Sequence, residues 1–190
     1  ALKQFEEIIT KHPQSELIIK ALYETGICCE ELNDFKKAKM YYSKIVAEFP
    51  KDSNSWKVYF KIGSLSYKDK KFWDAIKSYR KYLNSPAKDL GAEAQFYIGE
   101  AYFELKDYQK AALEYKNVSK LFPSNKSWIN VAQYKAGVSY EKVEKRDRAV
   151  KEYEKVLKVN NDKELIYLAT ERIKKIKEYI KSKQKNQLTN

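Results

Sequence analysis

The sequence predicts an all-α fold, a solenoid of helix–turn–helix repeats closed by a C-terminal capping helix. Three observations carry that prediction. Four glycines, Gly26, Gly63, Gly99 and Gly137, lie inside helical patterns at spacings of 37, 36 and 38 residues. Twelve residues after each stands an alanine (Ala38, Ala75, Ala111, Ala149), and sixteen after each a tyrosine (Tyr42, Tyr79, Tyr115, Tyr153). A fixed period in this range marks an array of stacked supersecondary units. Finally, the 190 residues hold only 5 Gly and 4 Pro, too little turn chemistry for a many-stranded sheet.

The elements follow in order. Residues 1–13 read as half a repeat: a helix over 1–11 carries Ala1, Phe5 and Ile8 on one stripe, and Pro13 ends it. These four residues have the mutual offsets of Ala111, Tyr115, Val118 and Pro123, so the chain is expected to open on the second helix of a repeat whose first helix is absent. The first complete repeat spans 15–50, with Ser15 expected to cap a helix running to Leu32. Asn33–Asp34 breaks that helix, and a second runs over Phe35–Phe49 to Pro50. The second repeat, 53–86, has helices over Ser53–Tyr67 and Phe72–Leu83. The third, 89–123, has Asp89–Leu105 and Tyr108–Leu121. The fourth, 127–160, has Ser127–Val143 and Arg146–Val159. A capping helix over 162–182 begins at an Asn161-x-x-Glu164 capping box. It sets Leu165, Ala169, Ile173, Ile176 and Ile180 on one face and Lys174, Lys175, Lys177 and Glu178 opposite, the pattern of a terminal cap. Residues 183–190 read as a polar, frayed tail within which no packing is expected. Together these predict one domain over 1–182.

A glycine costs a helix interior about 1 kcal/mol relative to alanine, so four such placements need a packing reason. Close approach of the two helices of each hairpin, glycine against alanine, supplies it, and the tyrosines are expected to fill the space between one hairpin and the next. Nine residues after the glycines stand Phe35, Phe72 and Tyr108, then Arg146, which breaks the pattern.

With 43% hydrophobic and 34% charged residues the chain belongs with folded, soluble proteins. No apolar run approaches the roughly 18 residues of a membrane span. Net charge is +12 and the pI about 9.4, which suits nucleic acid, an anionic membrane or an acidic protein, but the lysines alternate with glutamates as on solvated helix faces. Cys28 and Cys29 are adjacent on a helix and point about 100° apart, so they form no disulfide framework; Cys29 takes the slot of Tyr102 and Tyr140 and reads as packing. His12 is the only histidine, and one His with two adjacent Cys builds no usual zinc site. Phosphate-binding and dinucleotide-binding glycine motifs are absent. No cofactor, no metal and no enzyme activity are expected.

The small residues at the Gly and Ala sites, the aromatic four after each Ala, and Pro50 and Pro123 twelve after it resemble the tetratricopeptide repeat. Pro86 comes one residue early, and Asn161 stands in the fourth repeat's place. The resemblance spans about residues 1–180 and implies a right-handed superhelical α-solenoid whose concave face is lined by first helices. The long period and strings such as AQFYIGEAYFELKDYQKAALEYKNVSKLFP resemble the bacterial cell-envelope branch, which includes outer-membrane-assembly lipoproteins and Tol–Pal-associated periplasmic proteins. That implies a periplasmic or membrane-anchored location, with any membrane contact indirect, through an N-terminal anchor outside this sequence; the alternative is cytoplasmic.

In this family the inward first-helix residue lies three before the glycine, here Tyr23, Phe60, Phe96 and Tyr134, and Lys61, Tyr67, Tyr97 and Phe103 extend the same face. These eight residues are the candidate groove for a partner protein's peptide or helix. Aromatic rings give large contact area at low entropic cost. The competing reading is that the rings only pack against neighbouring hairpins. Charges on the groove are mixed: Lys57, Lys61, Glu93, Glu100 and Lys135. The Lys/Asn clamp of the chaperone-binding members is absent, since the matching face offers Tyr23, Ile27, Lys61, Glu93 and Tyr97. The expected function is therefore a non-catalytic scaffold with no small-molecule substrate. Single-stranded nucleic acid on Tyr, Phe and Lys is the alternative, disfavoured by Glu93, Glu100 and Glu141.

Overall fold

A computed structural model describes residues 2–86, 89–159 and 162–188. The described residues form ten helices and no strand: α1 (Leu2–Lys11), α2 (Ile18–Glu31), α3 (Phe35–Glu48), α4 (Ser53–Lys68), α5 (Phe72–Leu83), α6 (Gly91–Glu104), α7 (Tyr108–Leu121), α8 (Lys126–Lys142), α9 (Arg146–Val159) and α10 (Lys163–Leu188). The chain divides into two compact units, Ala1–Ala94 and Gln95–Asn190, with the division inside α6. In the first unit each helix from α1 to α5 packs on the next, around Leu22, Tyr42, Ile45, Val58 and Leu65. In the second, α7 packs on α8, α8 on α9 and α9 on α10, around Tyr140, Tyr153, Val156, Ala169 and Ile173.

Every hairpin turn is built the same way. The first helix ends on a residue seven after the glycine with positive φ: Asn33 (59°), Lys70 (57°), Lys106 (61°) and Glu144 (58°). Its N–H donates to the carbonyl three residues back, and the next N–H donates to the carbonyl five back, as in Asp34 to Cys29 (2.8 Å) and Asp107 to Tyr102 (2.9 Å). This is the Schellman ending, which satisfies the last carbonyls of a helix. The second helix then starts on Asp34 or Asp107, whose carboxylates accept from the N–H of Lys37 (3.1 Å) and Lys110 (3.2 Å). No glycine occupies the left-handed position, although an L side chain there costs about 1–2 kcal/mol. Lys106→Gly is therefore expected to raise stability by about 0.5–1 kcal/mol. Urea unfolding followed by circular dichroism checks it, and a lowered midpoint would mean that this backbone is held without strain.

The glycines meet tyrosines. A Cβ built on Gly63, Gly99 or Gly137 would lie 2.8, 2.6 and 2.5 Å from the ring of Tyr79, Tyr115 and Tyr153, and one on Gly26 would strike Tyr42. This corrects one expectation: the nearest neighbour of each glycine is the tyrosine sixteen residues on, not the alanine. Tyr42 also shares a core with Val58 and Leu65 of the next hairpin, and Tyr153 with Ile173 of α10. All four rings are at most 1% exposed, and Ala38, Ala75, Ala111 and Ala149 are fully buried.

Three boundaries differ from expectation. Ser15 does not cap α2: its Oγ accepts from the Leu17 N–H (3.2 Å), and a turn delays the helix to Ile18. Asn161 lies outside the described residues, and α10 is capped by Asp162, whose Oδ1 accepts from the N–H of Glu164 (3.0 Å) and Leu165 (3.2 Å). The expected tail is helical through Leu188, because lysine and glutamine are good helix formers and no breaker intervenes. As expected, α10 turns Ala169, Ile173 and Ile176 into the core, with Leu165 and Ile180 packed at its edge. Lys174 stands 37 residues after Gly137, where an earlier first helix would carry its glycine, and is exposed.

Candidate functional site

Each first helix carries its aromatic three before the glycine, one turn from it on the same face. That ring rests on the buried tyrosine of the same hairpin: Tyr23 on Tyr42 (5.8 Å between centroids), Phe60 on Tyr79 (5.5 Å), Phe96 on Tyr115 (5.4 Å) and Tyr134 on Tyr153 (5.5 Å). Such offset and edge-on pairs add about 0.5–1.5 kcal/mol each beyond their burial. The tyrosine hydroxyl in turn donates to a polar residue on the first helix. Tyr42 reaches Glu30 (2.5 Å) and Tyr153 reaches Glu141, four after the glycine; Tyr79 reaches Ser64 (3.2 Å) and Tyr115 reaches Glu100, one after it. The position four after the glycine decides which. Where it is aromatic it packs on the ring nine after the glycine, Tyr67 on Phe72 (5.4 Å) and Phe103 on Tyr108 (5.0 Å), and the hydroxyl turns to the other acceptor. Burial first, then the hydrogen bond to a carboxylate, push the Tyr42 and Tyr153 phenols well above their ordinary pKa, so both are neutral donors in the fold.

Each of the three glutamates takes a cation from the next first helix or from the capping helix: Glu30 with Lys61 (3.1 Å), Glu100 with Lys135 (2.9 Å) and Glu141 with Arg172 of α10 (3.4 Å). Lys61 thus stands at the groove already paired.

In the first unit two adjoining hollows, about 320 and 310 Å³, share Tyr23 and Lys57. Ile19, Lys20 and Glu24 of α2 complete the first; Phe60, Lys61, Tyr82, Asp89 and Leu90 complete the second. Phe60 stands edge-on to Tyr82 (5.4 Å), and the Tyr82 hydroxyl accepts from the Leu90 N–H (3.0 Å). Burial raises the Glu93 carboxyl, and burial also raises the Tyr82 phenol, opposed by that N–H and aided by Asp89 and Glu93. Lys20 and Lys57 make no ion pair among the described residues.

In the second unit Trp128 covers Phe96 (5.0 Å), leaving it 7% exposed, while Tyr97 stays half-buried beside both rings. Tyr134 is also half-buried. Of the eight candidate residues, the structure brings Tyr23, Phe60 and Lys61 to one pair of hollows and Phe96 to Tyr97. Tyr67 and Phe103 pack at hairpin turns. Sequence reasoning missed Lys20, Tyr82, Leu90 and Trp128. Leu90 and Trp128 both stand nine before a glycine, a register that could have flagged them as covers for the preceding repeat's ring. Among the described residues no group of three His, Cys, Asp or Glu could hold a metal ion, and no helix is long and apolar enough to cross a membrane.

Family models for the tetratricopeptide repeat match residues 92–125 in one case and 20–52 and 131–160 in the other, together just over half of the chain. No curated protein matches at the sequence level. Among solved structures, the crystal structure of MamA protein is similar at 21% identity and a TM-score of 0.68, covering 83% of this chain and 80% of that one. MamA from Desulfovibrio magneticus RS-1 gives 18% and 0.66, over 85% of each chain. The apo form of RapI gives 13% and 0.75, over 97% of this chain but 54% of that one. At these identities the likeness concerns the fold.

Proposed function

Because the chain belongs to the tetratricopeptide-repeat family, whose fold is typically a non-catalytic protein-interaction scaffold, we propose that it holds a segment of a partner protein against its first helices. The observation that supports this most is the pair of adjoining hollows in the first unit. They combine two rings, Tyr23 and Phe60, with two unpaired lysines, Lys20 and Lys57, on neighbouring first helices. Aromatic contact supplies affinity, and the lysine heads select a carboxylate near the apolar anchor. No nucleophile–base pair is part of this reading, and the protein is not an enzyme in it. Glu24, Asp89 and Glu93 along the same surface oppose a polyphosphate, which is why a protein is preferred to single-stranded nucleic acid.

Phe60→Ala is expected to weaken partner capture about tenfold, as loss of an aromatic anchor does. Because Phe60 also packs on Tyr79 and Tyr82, the separating variant is Lys57→Glu, at an exposed residue. It should reduce capture in a quantitative pull-down while leaving the unfolding midpoint unchanged. Capture that survives both variants would rule out this surface. The compartment we propose is the bacterial envelope, on the likeness of the repeat strings alone; fractionation of cells carrying the native gene decides between that and the cytoplasm.

A further inference from the structure

The fourth repeat departs from the other three where its second helix begins. Arg146 replaces the aromatic of Phe35, Phe72 and Tyr108, and before it Lys145 stands where Asp34 and Asp107 cap α3 and α7, as Lys71 does, without capping, before α5. The exchange gives up a cap worth about 1 kcal/mol and a ring contact. It also sets cations beside the positive end of a helix, an unfavourable arrangement. In place of the ring contact, the Arg146 guanidinium lies over Tyr179 of α10 (4.2 Å).

The same residues wall a hollow of about 670 Å³ between the start of α9 and the C-terminal half of α10. Lys145, Arg146, Arg148 and Lys151 line it, with Ile180 as an apolar side chain among them. Lys145, Arg148 and Lys151 make no ion pair among the described residues, and the Glu144 partner of Arg146 is 79% exposed at 3.6 Å. From α10, Gln184 joins Ile180 in the lining. We propose that this basic hollow is a second docking site, separate from the first-helix surface, for an acidic, extended protein segment carrying an apolar side chain.

Charge complementarity argues for an anion, and the details argue for carboxylates on a peptide. No aromatic ring is part of its lining, and the Tyr179 ring already carries the Arg146 guanidinium (4.2 Å) and the Lys183 ammonium (6.0 Å), as Tyr140 carries the Arg148 guanidinium (5.9 Å), so neither offers a free platform for a base. Glu144 and Asp147 stand among the cations, which suits spaced carboxylates better than a continuous phosphate backbone. The apolar stripe of α10, Ala169, Ile173 and Ile176, is buried and is not available to a bilayer. Ile180 matches an aliphatic side chain set between acidic residues.

The test uses the full chain and a fluorescein-labelled peptide of glutamates interrupted by single leucines, read by anisotropy. Arg148→Glu combined with Lys151→Glu should weaken binding at least about tenfold. The same double reversal at Lys77 and Lys120, exposed lysines elsewhere, should change it less than about twofold. Absence of peptide binding, or equal loss in the control variant, overturns the proposal. So does tighter binding of a single-stranded oligonucleotide or of phosphatidylserine vesicles that is lost with Arg148→Glu and Lys151→Glu, since the hollow would then serve that polyanion.

Discussion

Tyr115→Ala is expected to lower the unfolding free energy by about 3–5 kcal/mol, the range for deleting a buried aromatic ring. The ring is fully buried, lies over Gly99 and holds Phe96 at 5.4 Å. Its loss leaves a void that the glycine cannot fill, because Gly99 has no side chain to relax into it. The hydroxyl donates to Glu100, which also pairs with Lys135 (2.9 Å), so the substitution loosens the link from one first helix to the next as well. Tyr115→Phe separates the two contributions: it keeps the ring and should cost about 1–2 kcal/mol, because Lys135 still satisfies Glu100. Urea unfolding by circular dichroism gives the total, and with Trp56 and Trp73 replaced by Phe in both chains the fluorescence of Trp128, which packs on Phe96 (5.0 Å), reports the third repeat. Two probes are needed because repeat proteins can lose units separately. A loss below about 1 kcal/mol for Tyr115→Ala would mean the ring is not the pin of its hairpin.

Gly99→Ala should destabilise by about 1–3 kcal/mol, opposite in sign to helix propensity. In an exposed helix interior this change gains about 1 kcal/mol. Here the new methyl would stand 2.6 Å from Tyr115 Cδ1, inside any real carbon–carbon contact. The ring has no room to yield, held by Phe96 on one side and by Glu100 at its hydroxyl. Tm and urea midpoint should both fall. A rise in either would show that the tyrosine moves freely, and the account of the repeated glycine given above would fail with it. Combining Gly99→Ala with Tyr115→Ala should recover part of the loss, because the methyl then enters the void, and that coupling is the sharper signature of direct contact.

Several features were readable before any coordinates. A 36–38 residue recurrence of glycine, alanine and tyrosine is enough to locate ten helices to within a few residues, since helix length, turn and register all repeat with it. The helices Phe72–Leu83, Tyr108–Leu121 and Arg146–Val159 match residue for residue. Ends set by one local hydrogen bond were less legible. Ser15 has the chemistry of a cap, yet the chain spends that hydroxyl on a turn. The region after residue 182 is polar, and polarity alone does not distinguish a frayed tail from a solvated helix.

The candidate surface was legible only in outline. That an aromatic recurs three before each glycine is a fact of the string; whether a given ring stays open depends on what lies nine before the next glycine. Trp128 there covers Phe96, whereas Leu90 leaves Phe60 lining a hollow. Lys61 reads as a free groove cation until Glu30, 31 positions earlier, is found 3.1 Å away.

Periodic pattern alone therefore established the helical-repeat architecture, because a residue's place on a helix face follows from spacing along the chain. Contacts between faces belong to another class of information. Glycine meeting tyrosine rather than alanine, glutamate tying one repeat to the next, and Lys145, Arg146, Arg148 and Lys151 opening a basic hollow against α10 all arise from side chains remote in sequence. Their distances are set by how the helices pack.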